Sequence, residues 1–69
     1  MYGLEKISED EYCVFLTDGE ILRITSVNQE LLSEDIIRVH NNTEQEVTAS
    51  ELSQDVKGFI TARTGKEFK

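Results

Sequence analysis

The sequence predicts an α+β domain: a small, curled antiparallel sheet of about five short strands with a C-terminal helix packed on it. Three observations carry that expectation. Asp18-Gly19 stands between two apolar runs; Asn41-Asn42-Thr43 separates two further strand-like runs; residues 48–64 join a helix-start pattern to helically spaced apolar residues. The expected strands cover about 2–7, 12–17, 20–27, 36–40 and 44–48, and the expected helix about 49–64. Together they form one domain over residues 1–69, and an SH3-like half-barrel is one arrangement that satisfies the strand count.

The first hairpin rests on the Asp-Gly pair, which two-residue type I′ turns prefer because both central residues need positive φ. Such a turn pairs Thr17 with Glu20, and so Phe15 with Leu22, Val14 with Arg23 and Cys13 with Ile24. Because side chains alternate across a sheet, Cys13, Phe15, Leu22 and Ile24 then form the core face. Tyr12, Val14, Leu16 and Ile21 form the other face, diluted by Arg23 and Thr25. That second face is too apolar for ordinary solvent-facing surface.

For the second hairpin, a three-residue loop pairs Arg38 with Glu46 and Ile37 with Val47, placing Ile37, Val39 and Val47 on one face. Opposite charges facing across a strand pair favour that register. Residues 2–7 read as an edge strand, and residues 28–35 as one or two helical turns that tuck Leu31 or Leu32 under the sheet.

Thr48-Ala49-Ser50-Glu51 fits a capping box, with Val47 and Leu52 at the positions of a hydrophobic staple. Leu52, Val56, Phe59 and Ile60 then recur on one helical face. Arg63 suits the negative end of the helix dipole, and Gly65 is placed to end the helix. Gly58 sits in the interior at a cost, and nothing in the sequence explains Gly3.

Composition narrows the function classes. A chain of 69 residues buries a modest fraction of its surface, so its stability margin is thin. The single cysteine, Cys13, forms no internal disulfide, and with only one histidine, His40, it falls short of a structural zinc site. Glu5, Glu9, Asp10 and Glu11 argue against an export signal at the N-terminus. The longest apolar run, Tyr12 to Leu16, is far shorter than the roughly 20 residues of a membrane span. The expected location is therefore the cytoplasm, with no membrane partner.

The net charge is −7: residues 1–56 hold thirteen acids and three bases, whereas residues 57–69 hold four bases and one acid. Phosphate backbones repel most of such a chain, so no direct nucleic-acid binding is expected. Lys57, Arg63, Lys66 and Lys69 form no stripe and read as a solvated helix end.

No group of residues satisfies the roles of a reaction. Cys13 is expected to face the core as an inert small hydrophobe, and His40 to lie exposed at a strand end without a group to orient it. Glu30, Glu34 and Asp35 lack the alternating oxygen ligands and glycine bend of a calcium loop. The isolated glycines build no phosphate cradle. The expectation is a protein without enzymatic activity, cofactor or metal.

What remains is binding. The first expectation is a small acidic regulatory module that binds another protein or a second copy of itself through Tyr12, Val14, Leu16 and Ile21. The alternative is an acidic mimic of nucleic acid, presenting Glu9, Asp10, Glu11, Asp18 and Glu20 to a basic DNA- or RNA-binding protein.

Overall fold

The central strands form where β-branched and aromatic residues cluster, and the two tight hairpin connections fall at the glycine and asparagine positions. In the computed structural model, which describes residues 2–17 and 19–69, the strands are β1 (Gly3–Lys6), β2 (Glu11–Phe15), β3 (Ile21–Thr25), β4 (Glu30–Leu31), β5 (Ile36–His40), β6 (Thr43–Glu46) and β7 (Glu67–Phe68). One helix, α1 (Gln54–Thr64), lies near the C-terminus. Five strands make an antiparallel sheet in the order β1-β2-β3-β5-β6, which stays open rather than closing into a barrel. β4 and β7 make a separate parallel pair.

The first hairpin departs from expectation by one residue. Phe15 pairs with Ile21, Val14 with Leu22, Cys13 with Arg23 and Tyr12 with Ile24. The connection closes with the Leu16 amide donating to the Glu20 carbonyl at 2.9 Å, leaving three residues, 17–19, between them. Three-residue connections end in a left-handed residue, and Gly19, at φ 78°, supplies it without a Cβ clash. The expected Asp18-Gly19 pair includes Asp18, which lies outside the described residues.

A slip of one residue turns a whole strand over. Tyr12 and Val14, expected outside, are 9% and 0% exposed in the core, and Leu16 packs against it. Cys13 and Phe15, expected inside, occupy the opposite face. Leu22 and Ile24 remain inside, each 0% exposed, because only β2 changes its facing.

The second hairpin also differs, in the other direction. His40 pairs with Thr43, Val39 with Glu44, Arg38 with Gln45 and Ile37 with Glu46, so the loop is Asn41-Asn42 alone. Both asparagines have positive φ, 51° and 64°, as a type I′ turn requires. Asparagine is one of the few residues that adopts this backbone at low cost. Val47 follows β6 and is buried, its amide donating to the Ile36 carbonyl at 3.1 Å. Ile37 and Val39 therefore part from Val47 and face the other side of the sheet. The expected Arg38–Glu46 pair does not form. Arg38 Nε lies 3.0 Å from a Glu20 carboxylate oxygen instead, close enough for charge attraction though not aligned for a hydrogen bond.

The expected helix over 49–64 is two pieces. Ala49–Glu51 forms a single tight turn in which the Thr48 amide donates to the Glu51 carboxylate at 3.0 Å. The chain then extends through Leu52 and Ser53, and Ser53 Oγ caps α1 by accepting the Val56 amide at 3.2 Å. Gly65 ends α1 at φ 76°, its amide bonded to the Thr61 carbonyl. Gly58 has no neighbouring atom within 4 Å of where a Cβ would stand, so it is a tolerated residue on an open face.

Residues 28–35 form β4 and a tight turn, Ser33–Asp35, rather than regular helix, with Leu31 buried beneath the sheet. Lys66 is buried instead of solvated, its ammonium donating to the Asn28 carbonyl. That bond ties the segment before β7 to the segment before β4, beside the parallel pair.

The core lies on one face of the large sheet. Tyr12, Val14, Leu22, Ile24 and Ile36 from the strands meet Leu31, Val47, Leu52, Val56 and Ile60, with Tyr2, Leu4, Leu16, Phe59 and Phe68 at its margin. The Tyr2 and Phe59 rings are 5.6 Å apart, and the Arg63 guanidinium stacks 4.9 Å from the Phe59 centroid. Burying each of the larger aliphatic side chains contributes about 1.5–3 kcal/mol, so this face carries most of the stabilisation.

Candidate functional site

The two registers determine what the outer face of the sheet presents. Reading across strands, one row is Gly3, Phe15, Ile21, Val39 and Glu44. The next row is Glu5, Cys13, Arg23, Ile37 and Glu46. Five apolar side chains thus sit side by side on the three central strands. An antiparallel sheet that faces water on one side normally carries polar residues there.

Every element outside the large sheet sends its apolar side chains to the inner face: Leu31 from β4, Val56 and Ile60 from α1, Phe68 from β7. Among the described residues, Phe15, Ile21, Ile37 and Val39 belong to no buried cluster. Phe15 is 42% exposed, and Cys13, Ile21, Ile37 and Val39 are partly exposed.

Gly3 faces Phe15 across the strand pair, and a Cβ there would stand 3.8 Å from the Phe15 ring, an ordinary contact, so a small side chain fits at this position.

Arg23 spans β5. Its guanidinium donates to Glu44 Oε1 at 3.0 Å, so its stem runs between Ile37 and Val39. Lysine and arginine stems are apolar along their length, and this one continues the patch. Glu5 on β1 and Glu46 on β6 stand at the two ends of the Arg23 row, exposed, and neither is ion-paired among the described residues.

The expected contact residues are thereby separated. Ile21 lies on the outer face, whereas Tyr12 and Val14 are core and Leu16 is half-buried against it. Phe15, Ile37 and Val39, which sequence reasoning missed as surface anchors, share the outer face with Ile21. Their signal was present as a second apolar alternation, concealed because β2 and β5 are apolar on both faces.

The expected acidic set borders the two ends of the first hairpin. Glu9 and Asp10 are exposed in the turn before β2, with Glu9 3.7 Å from Lys6, while Glu20 is partly buried beside Arg38. Asp18 lies outside the described residues.

Shallow hollows mark the surface: one, about 400 Å³, lies between Leu32, Glu34, Thr48 and Lys69, and another, about 240 Å³, between Arg38, His40, Thr43 and Gln45. Neither places a serine, threonine or cysteine beside an oriented base among its lining residues. Among the described residues, no three acid, cysteine or histidine side chains converge as metal ligands, and no helix is long and apolar enough to cross a membrane.

No protein-family model matches the chain, and no curated protein or solved structure matches it either.

Proposed function

We propose that this chain is a small, acidic, non-catalytic regulatory module of the cytoplasm that binds another protein through the outer face of its sheet. One observation carries the reading: Phe15, Ile21, Ile37 and Val39 form a continuous apolar surface that no other element covers among the described residues. Phe15 is exposed and Ile21, Ile37 and Val39 are only half-buried, so covering them would gain part of the burial free energy that their inner-face counterparts already have, and apolar patches of this kind mark interaction sites.

The rim favours a foreign partner over a second copy. Glu5, Glu11, Glu44 and Glu46 surround the patch, with Arg23 as its one cation. Two such faces brought together would oppose acid to acid, which disfavours pairing. A partner with an apolar centre and basic margins meets no such penalty. The nucleic-acid-mimic reading has less support, because Glu9 and Glu20 each neighbour a base.

Photocrosslinking tests the reading. A benzoylphenylalanine in place of Phe15 should trap a discrete protein in the native cytoplasm, whereas the same residue in place of the exposed helical Ala62 should not. The Phe15 adduct should vanish when Ile21→Asp is added. Identical adducts from both positions would exclude the outer face, and an adduct of twice the chain mass would identify the partner as a second copy.

A further inference from the structure

We propose that the occupant of the outer face is a single amphipathic helix with lysine or arginine along both flanks, lying along β2, β3 and β5. The inference rests on the protein-binding reading above and adds the chemistry of the partner.

Width comes first. Adjacent strands lie ~4.8 Å apart, so the three apolar strands span about 10 Å between their outer axes. A helix with its side chains is about 10–12 Å across, so one helix covers the apolar band and no more. Its flanks then stop short of β1 and β6 by a few ångströms, within reach of a long side chain. Those two strands carry Glu5, Glu44 and Glu46 on this face, roughly 19 Å apart across the sheet. The long stems of lysine and arginine bridge from a helix flank to such borders.

Spacing along the strands agrees. The Phe15–Ile21–Val39 row and the Cys13–Arg23–Ile37 row are two residues apart, about 6.8 Å. Residues three and four apart on a helix are neighbours at about 5–6 Å, so successive apolar side chains of one stripe reach successive rows.

Edge pairing with an added strand is the weaker fit, because the edge strands carry Glu5 and Lys6 on one side and Glu44 and Glu46 on the other, and charged edges resist strand addition. The inner face supplies the precedent within the same molecule. There α1 contributes Val56 and Ile60 to the same buried cluster as Val14, Leu22 and Ile24, and among the described residues the chain has no second α-helix to do the same outside.

The test uses the full chain and a labelled peptide of ~18 residues with leucine at helical stripe positions and lysine elsewhere, long enough to form a helix on contact. A peptide of the same pattern with glutamate for lysine is the comparison. At physiological salt, the lysine peptide should bind and the glutamate peptide should not. Amide NMR shifts should concentrate in β2, β3 and β5. Phe15→Asp should weaken binding about tenfold or more, and Glu5→Lys with Glu46→Lys should do the same, while Glu34→Lys with Glu67→Lys, equal in charge and away from this face, should leave it within about threefold. All three variants change exposed residues, and circular dichroism verifies their fold.

Equal loss from both charge pairs, equal binding of both peptides, or shifts centred on α1 would overturn the proposal. A Phe15 photoadduct formed by a chain that ignores the lysine peptide would overturn the helix assignment alone and leave the protein-binding reading standing.

Discussion

Arg23 on β3 and Glu44 on β6 meet at 3.0 Å although β5 lies between them. The pair stretches across the outer face and brings the one cation of that surface over Ile37 and Val39. Its consequence is local. It neutralises Glu44 and leaves Glu5 and Glu46 as the free charges at the borders.

Exposed ion pairs contribute about 0.2–1 kcal/mol. A double-mutant cycle on Arg23→Ala and Glu44→Ala, measured by urea unfolding, should give a coupling below about 1 kcal/mol that shrinks as salt is raised. A coupling of several kcal/mol that ignores salt would mean the pair is desolvated, and so that the outer face is covered.

The register of the first hairpin yields a contrast between neighbouring strands. Leu22→Ala, at 0% exposure, should cost about 2–5 kcal/mol, enough to unfold much of so small a domain. Phe15→Ser should cost less, about 1–2 kcal/mol, because Phe15 keeps 42% of its surface in water. Thermal melts of the two variants decide the matter. A Phe15 variant as damaged as the Leu22 variant would place Phe15 in the core.

Gly58→Ala should stabilise the protein. The glycine lies inside α1 with open space around its missing Cβ, so alanine meets no clash and lowers the entropy of the unfolded chain. The expected gain is about 0.5–1 kcal/mol, seen as a rise in Tm. Any loss of stability would show that α1 packs more closely at this position.

Asn42→Ala should act in the opposite sense. At φ 64° the alanine Cβ is strained, at a cost of about 1–2 kcal/mol, and Asn42→Gly should restore most of the loss. If Asn42→Ala melts like the parent chain, the two-residue turn is wrong.

Lys66→Ala should lower stability by about 1–3 kcal/mol, because it deletes a buried stem and leaves the Asn28 carbonyl without its ammonium donor. Faster amide exchange should follow in β4 and β7, the pair beside that bond.

Much of the fold was legible in local pattern. The five strands of the large sheet, the core facing of Leu22 and Ile24, the apolar stripe of α1 and its glycine stop all follow from periodicity and backbone preference. The two hairpin connections were exchanged. The segment containing Gly19 makes the three-residue loop, and Asn41-Asn42 makes the two-residue one. Glycine and asparagine both tolerate positive φ, so composition alone suits either loop length. The candidate site was legible only at Ile21, because β2 alternates apolar residues on both faces and offers no polar face to mark the outside.

By itself the sequence determined which segments extend, which coil, and where the chain reverses, since those choices rest on φ/ψ preference and on the spacing of apolar residues within a few positions. Only the tertiary structure decided which side of β2 and β5 is buried. That choice depends on one residue of register, and register is settled by how Tyr12, Val14 and Ile36 pack against Leu31, Val56 and Ile60, residues distant in the chain whose contacts no local pattern encodes.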